Sequence, residues 1–128
     1  MPKQIIYTDK APAPIGPYSQ AVKAGDILFV SGQVAIDPAT NEVITGTITE
    51  EAHQVMKNLE AVLSEAKVTF EHVVKTDIFL SDMSYFAEVN QVYGSYFKGD
   101  YPARATVAVK TLPKHVNVEI GVTATVTL

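Results

Sequence analysis

One arginine stands against nine lysines in this chain of 128 residues, and it opens a β-rich run, Arg104-Ala105-Thr106-Val107-Ala108-Val109. A guanidinium grips a carboxylate bidentately where an ammonium cannot, so Arg104 is the first candidate for holding a small carboxylic acid. Glu119 is the second group that could do chemistry. It lies in a final run where Val116, Val118, Ile120, Val122, Ala124 and Val126 alternate with Asn117, Glu119, Gly121, Thr123, Thr125 and Thr127, the period of a strand with one core face. A carboxylate shielded among Gly and Thr can have a raised pKa and act as a base. A hairpin running from Ala105 to Leu112, turning at Pro113-Lys114 and returning along the final strand would put Arg104 and Thr106 on the face of Glu119. The bland alternative for the same pairing is a structural Arg104–Glu119 ion pair.

Other chemistries lack the residues they need. There are no cysteines, which removes thiolate nucleophiles, Cys-ligated zinc, iron–sulfur clusters and disulfides. His53, His72 and His115 have no metal-like spacing and are expected at the surface. No GxSxG elbow, Walker A loop or GxGxxG fingerprint occurs, so no metal and no nucleotide cofactor is expected. A formal net charge of −4 gives no basic footprint for a phosphate backbone. The first residues lack the apolar run of a signal peptide, and no stretch reaches the roughly 18 apolar residues of a membrane span, so the expectation is a cytoplasmic protein.

The elements that must position these groups follow from periodicity. The length suits a single domain over residues 1–128. Ile27 to Val34 reads as a strand between turns, with Ser31 and Gly32 inside it; an internal glycine marks either a bulge or a close approach. From Thr47 the pattern becomes helical through Ala66, with a Thr47–Glu50 capping box. Val73 to Leu80 reads as a strand. A second helix is predicted from Asp82 or Ser84 to near Gly99, with Phe86, Val89, Tyr93 and Tyr96 or Phe97 on its stripe and Asn90 within it. The far face of the final strand is short of charge. Either a second copy of the chain covers it or it is a Thr-rich surface.

Four ordered segments resemble one family. Pro102-Ala103-Arg104-Ala105-Thr106-Val107-Ala108-Val109-Lys110-Thr111-Leu112 with Val118-Glu119-Ile120 is similar to the C-terminal signature of the Rid family, the reactive intermediate imine deaminases. Ala13-Pro14-Ile15-Gly16-Pro17-Tyr18-Ser19-Gln20 resembles its N-terminal motif, Val30-Ser31-Gly32-Gln33 its strand motif, and Phe86-Ala87-Glu88-Val89-Asn90 its second-helix motif. The resemblance implies an α+β, chorismate-mutase-like single domain, a mixed β-sheet with two α-helices on one face, assembled as a homotrimer with active sites between subunits.

It also implies hydrolysis of 2-imino acids, such as 2-iminobutanoate and 2-iminopropanoate, to 2-keto acids and ammonia, without a cofactor. Carried onto this sequence, Arg104 would hold the substrate carboxylate. Tyr18, Ser31, Asn90 and the Gly32 amide would supply directional contacts, and Glu119 would position or deprotonate the attacking water. Three departures stand out. Thr106 occupies a position where many members have cysteine, so its backbone amide is the group left to bind substrate. Lys67 replaces a helix-ending glycine, and Met83-Ser84-Tyr85 leads the second helix. Two other functions compete: a carboxylate-binding module without turnover, and an endoribonuclease or translation inhibitor, against which the charge and the single arginine count.

Overall fold

The computed structural model describes residues 2–127. In chain order its elements are β1 (Gln4–Ile6), β2 (Ala21–Ala24), β3 (Ile27–Gln33), β4 (Ile36–Asp37), β5 (Glu42–Val43), α1 (Ile48–Glu65), β6 (Val73–Leu80), α2 (Phe86–Gly94), β7 (Ala103–Ala108) and β8 (Val118–Thr125). Helix α1 starts where the sequence predicts. The Thr47 side chain accepts from the Glu50 amide at 3.1 Å, and Glu50 Oε1 accepts from the Thr47 amide at 3.3 Å. This box satisfies two amides that a helix start leaves without partners. At the other end Lys67 takes φ 64°, its amide donates to Ser64 O at 2.9 Å, and the Val68 amide donates to Leu63 O at 3.0 Å. That is a Schellman closure with lysine in the left-handed position that glycine fills most readily.

Six strands form one sheet in the order β1-β2-β3-β8-β6-β7, and β4 with β5 makes a separate small hairpin. Central strand β8 runs antiparallel to both β3 and β6, while edge strand β7 is parallel to β6. The sheet is therefore mixed, as expected. Helices α1 and α2 pack together on one face. There Leu28, Val30, Ile78, Leu80, Val118, Ile120 and Val122 join Val55, Met56, Leu59 and Leu63 of α1 and Val89 and Val92 of α2 in one core. Each large apolar side chain fully removed from water contributes about 1.5–3 kcal/mol.

Two expectations fail here. β7 and β8 do not form a hairpin: β6 lies between them, because the chain reaches β7 through α2 and can then pair in parallel with β6. The Pro113–His115 segment is a 3-10 turn in the connection to β8, not a two-strand corner. Helix α2 is also shorter than predicted, ending at Gly94 rather than near Gly99. Its last turn tightens into i to i+3 bonds, Tyr96 N to Tyr93 O and Phe97 N to Gly94 O, and a separate 3-10 turn at Met83–Tyr85, capped by Asp82, precedes it.

Two buried polar side chains tie loops to this frame. Glu51 Oε2 accepts from the amides of Asn117 and Val118 at 2.7 and 2.9 Å, and its Oε1 accepts from Asn117 Nδ2 at 3.1 Å. Gln20 accepts from the Thr8 amide and donates to the carbonyls of Thr8, Ala11 and Pro12. Among the described residues no helix is long and apolar enough to cross a membrane.

Candidate active site

Arg104 sits on edge strand β7 directly beside Thr76, and Thr106 beside Ile78, so both face the helix-covered side of the sheet. This overturns the sequence-level placement. Phe79 is the partner of Glu119 on one strand and of Val107 on the other, so Glu119 shares its face with Val107 and lies opposite to Arg104. The error came from taking Ala105 and Val107 as a core set. They face away from the helices, and Val107 is 46% exposed. The alternative of an Arg104–Glu119 ion pair goes with it; among the described residues the ion pair present is Lys75–Asp77.

The structure instead divides the candidate residues into two groups. In the first, Arg104 Nη1 donates to Asn90 Oδ1 at 2.6 Å, and the guanidinium lies 5.6 Å from the Phe86 ring centre and 5.3 Å from that of Tyr93. Tyr93 is fixed in turn by donating to Thr76 Oγ1 at 3.0 Å. Burial raises the Tyr93 phenol above its ordinary pKa, with the Thr76 hydrogen bond and the Arg104 charge working the other way. It therefore stays protonated at neutral pH. The cation, hydrogen-bonded on one edge and stacked on rings, keeps further N–H groups for an anion. It borders a cleft of about 650 Å³ formed by Asn90, Gln91, Tyr93, Gly94, Tyr101 and Pro102. The Thr106 hydroxyl is buried nearby on the same strand with no hydrogen-bond partner among the described residues.

The second group surrounds Glu119. The register of β3 against β8 slips between Val30 and Gln33, so the internal Ser31-Gly32 pair is indeed a bulge. It is a close approach as well, since the Glu119 side chain lies over Gly32. Ser31 Oγ donates to Ser19 O at 2.6 Å and its amide donates to Gln20 O at 2.9 Å, which fastens the segment carrying Tyr18 to the strand. Tyr18 is exposed, its hydroxyl accepting from the Ile15 amide at 3.4 Å. Burial pushes the Glu119 carboxyl above its ordinary pKa of 4.5, and desolvation is the sole cause.

Sequence reasoning missed the residues that hold others in place. Phe86 and Tyr93 looked like ordinary members of a helical stripe, and only the tertiary position of β7 turns them toward Arg104. Gln20 lies within the N-terminal motif but carried no signal of burial. His53 was expected at the surface and is half-buried, its Nδ1 2.9 Å from the Tyr96 hydroxyl. No cluster of three or more His, Asp or Glu able to hold a metal occurs among the described residues.

A two-layer α+β domain with an arginine cleft at one sheet edge and a half-buried glutamate on the bare face defines the class. A family model described as endoribonuclease L-PSP matches residues 8–126. The mouse 2-iminobutanoate/2-iminopropanoate deaminase is 47% identical over 118 residues, 92% of this chain and 87% of the mouse protein. The structure of a Rid-family protein from Yersinia pestis has a TM-score of 0.94 at 45% identity, covering 97% of this chain and 99% of that one. TdcF from E. coli, crystallised with bound serine, has a TM-score of 0.91 at 35% identity, covering 95% and 98%. The chain belongs to the YjgF/Rid family.

Proposed function

We propose that the protein hydrolyses 2-imino acids and their enamine tautomers to 2-keto acids and ammonia, in a site built from two chains of a homotrimer. The observation that carries the reading is the pairing of unlike groups: a stacked, hydrogen-bonded arginine suited to a carboxylate and a glutamate kept basic by burial alone. The identity to the mouse deaminase and the serine bound to TdcF, a small molecule with a carboxylate and a nitrogen on C2, support it. Because Arg104 and Glu119 face opposite sides of one sheet, a neighbouring copy must bring one to the other. The bare face, with Phe29 52% and Ile5 51% exposed, is suited to such a neighbour.

The steps follow from charge and position. Arg104 takes the substrate carboxylate, held in orientation by Asn90 and the rings of Phe86 and Tyr93. Tyr18, Ser31, the Gly32 amide and the Thr106 amide give the remaining directional contacts. Glu119 accepts a proton from water as the water oxygen bonds to C2 of the protonated imine, whose C=N electrons move to nitrogen. The resulting amino alcohol receives that proton on nitrogen, the C–N bond breaks, and ammonia leaves as the hydroxyl gives its proton to the Glu119 carboxylate and becomes the ketone; ammonia or solvent then takes that proton. A protonated imine is already electrophilic, so orientation and one proton shuttle suffice. Within the family description the competing reading is an endoribonuclease; the net charge of −4 and single arginine disfavour it.

The test generates 2-aminoacrylate or 2-iminobutanoate in situ with a dehydratase and follows 2-keto acid formation while semicarbazide competes for the imine. Wild type is expected to restore keto-acid formation, and Arg104→Ala and Glu119→Gln to lose it. Keto-acid binding without turnover, unaffected by Glu119→Gln, would make the protein a carboxylate-binding module instead.

A further inference from the structure

Gly32 needs no left-handed backbone: its φ lies outside the positive range reserved for Gly16, Gly25 and Gly99. The backbone there does not call for glycine through a positive φ. What a side chain would meet is Glu119. A Cβ placed on Gly32 would stand 2.8 Å from Glu119 Cδ and 3.0 Å from Cγ, and would overlap Oε2. These are the far atoms of a flexible side chain, so a methyl group would displace the carboxylate and leave the strand in place. Gly121, on the face of Glu119, approaches Gly32 as well, but a Cβ there would make ordinary contacts at 3.4–3.5 Å with Val30 O and the Gly32 backbone. Of these two adjoining glycines, Gly32 is the one that the carboxylate requires.

We propose that Gly32 is a positioning residue, its missing side chain forming the slot in which the bulge of β3 seats the Glu119 carboxylate against the sheet. Glu119 draws no fixing hydrogen bond or charge that shifts its titration, so its direction is set by the surface it lies on. A slot of this kind orients a base without occupying its oxygens. Both remain open to water and to the proton being moved. The proposal extends the hydrolytic reading of Glu119, yet the slot itself has a readout independent of that activity.

The experiment compares wild type, Gly32→Ala, Glu119→Gln and the double variant in the imine assay, with carbon NMR titration of the Glu119 carboxyl in wild type and Gly32→Ala. Gly32→Ala is expected to melt near the wild-type temperature, keep KM within about twofold and lose about 10–100-fold in kcat, the scale of a misplaced catalytic group. In the Glu119→Gln background the same substitution should cost far less of the residual rate than it costs in wild type. The Glu119 titration midpoint should move back toward 4.5 as the carboxylate swings into water. An unchanged kcat with an unchanged titration, or equal losses in both backgrounds, would overturn the proposal. Wild type inactive on imines would defeat the hydrolytic reading, and the titration would then decide the slot alone.

Discussion

Arg104 faces the helix-covered side of the sheet and Glu119 the other, so substitutions at the two sites report on separate groups. At Arg104 the account predicts that Arg104→Lys keeps the fold and raises KM about 10–150-fold, the equivalent of one charge-assisted hydrogen bond of roughly 1.5–3 kcal/mol. Steady-state kinetics would check it. At Glu119 the direction of the pKa gives two signs. As a base it must be ionised, so kcat falls as pH drops through its raised value, above 4.5. For stability, the folded chain holds this proton more tightly than the unfolded chain, so Glu119 favours folding below the ordinary value and loses that contribution as pH rises through the folded one. Glu119→Gln should therefore melt higher than wild type at neutral pH, with the gain vanishing below pH 4.5 even as kcat falls by about 10²–10⁴-fold.

At the scale of elements, long periodic segments were readable and short ones were not. The capping box at Thr47, the stripe of α1, the bounds of β6 and the core parity of β8 follow from sequence. Strands β1 and β2 have 3 and 4 residues, too few for alternation to stand out, and the segment between them is held by the hydrogen bonds of Gln20. Lys67 was legible as a departure from glycine, and its φ of 64° shows where the strain lies. Lys67→Gly is predicted to stabilise the chain by about 1 kcal/mol, read by urea unfolding, with activity unchanged. Glu51 gives the opposite case, a carboxylate in the first turn of α1 whose type gives no hint that it closes the entry to β8. Glu51→Ala leaves the Asn117 and Val118 amides without their acceptor and should cost about 2–4 kcal/mol in the same measurement.

For the molecule as a whole, what sequence left open is the relation between the two sheet faces. The charge-poor alternation of β8 was visible, but the position of β7 at the far edge, which sends Arg104 to the helix side, required the crossover through α2. One face then carries the Arg104 cleft and the other Glu119. An active site made of both needs a second chain, and subunit complementation asks for that directly. Arg104→Ala and Glu119→Gln, each expected to be severely impaired alone, are unfolded together, refolded as a mixture and assayed for imine hydrolysis. If each site takes Arg104 from one chain and Glu119 from its neighbour, random mixing restores both groups in about a quarter of the sites, and activity returns to about that fraction of wild type. A mixture as inactive as its components, under conditions where refolded wild type recovers fully, would contradict a site shared between chains.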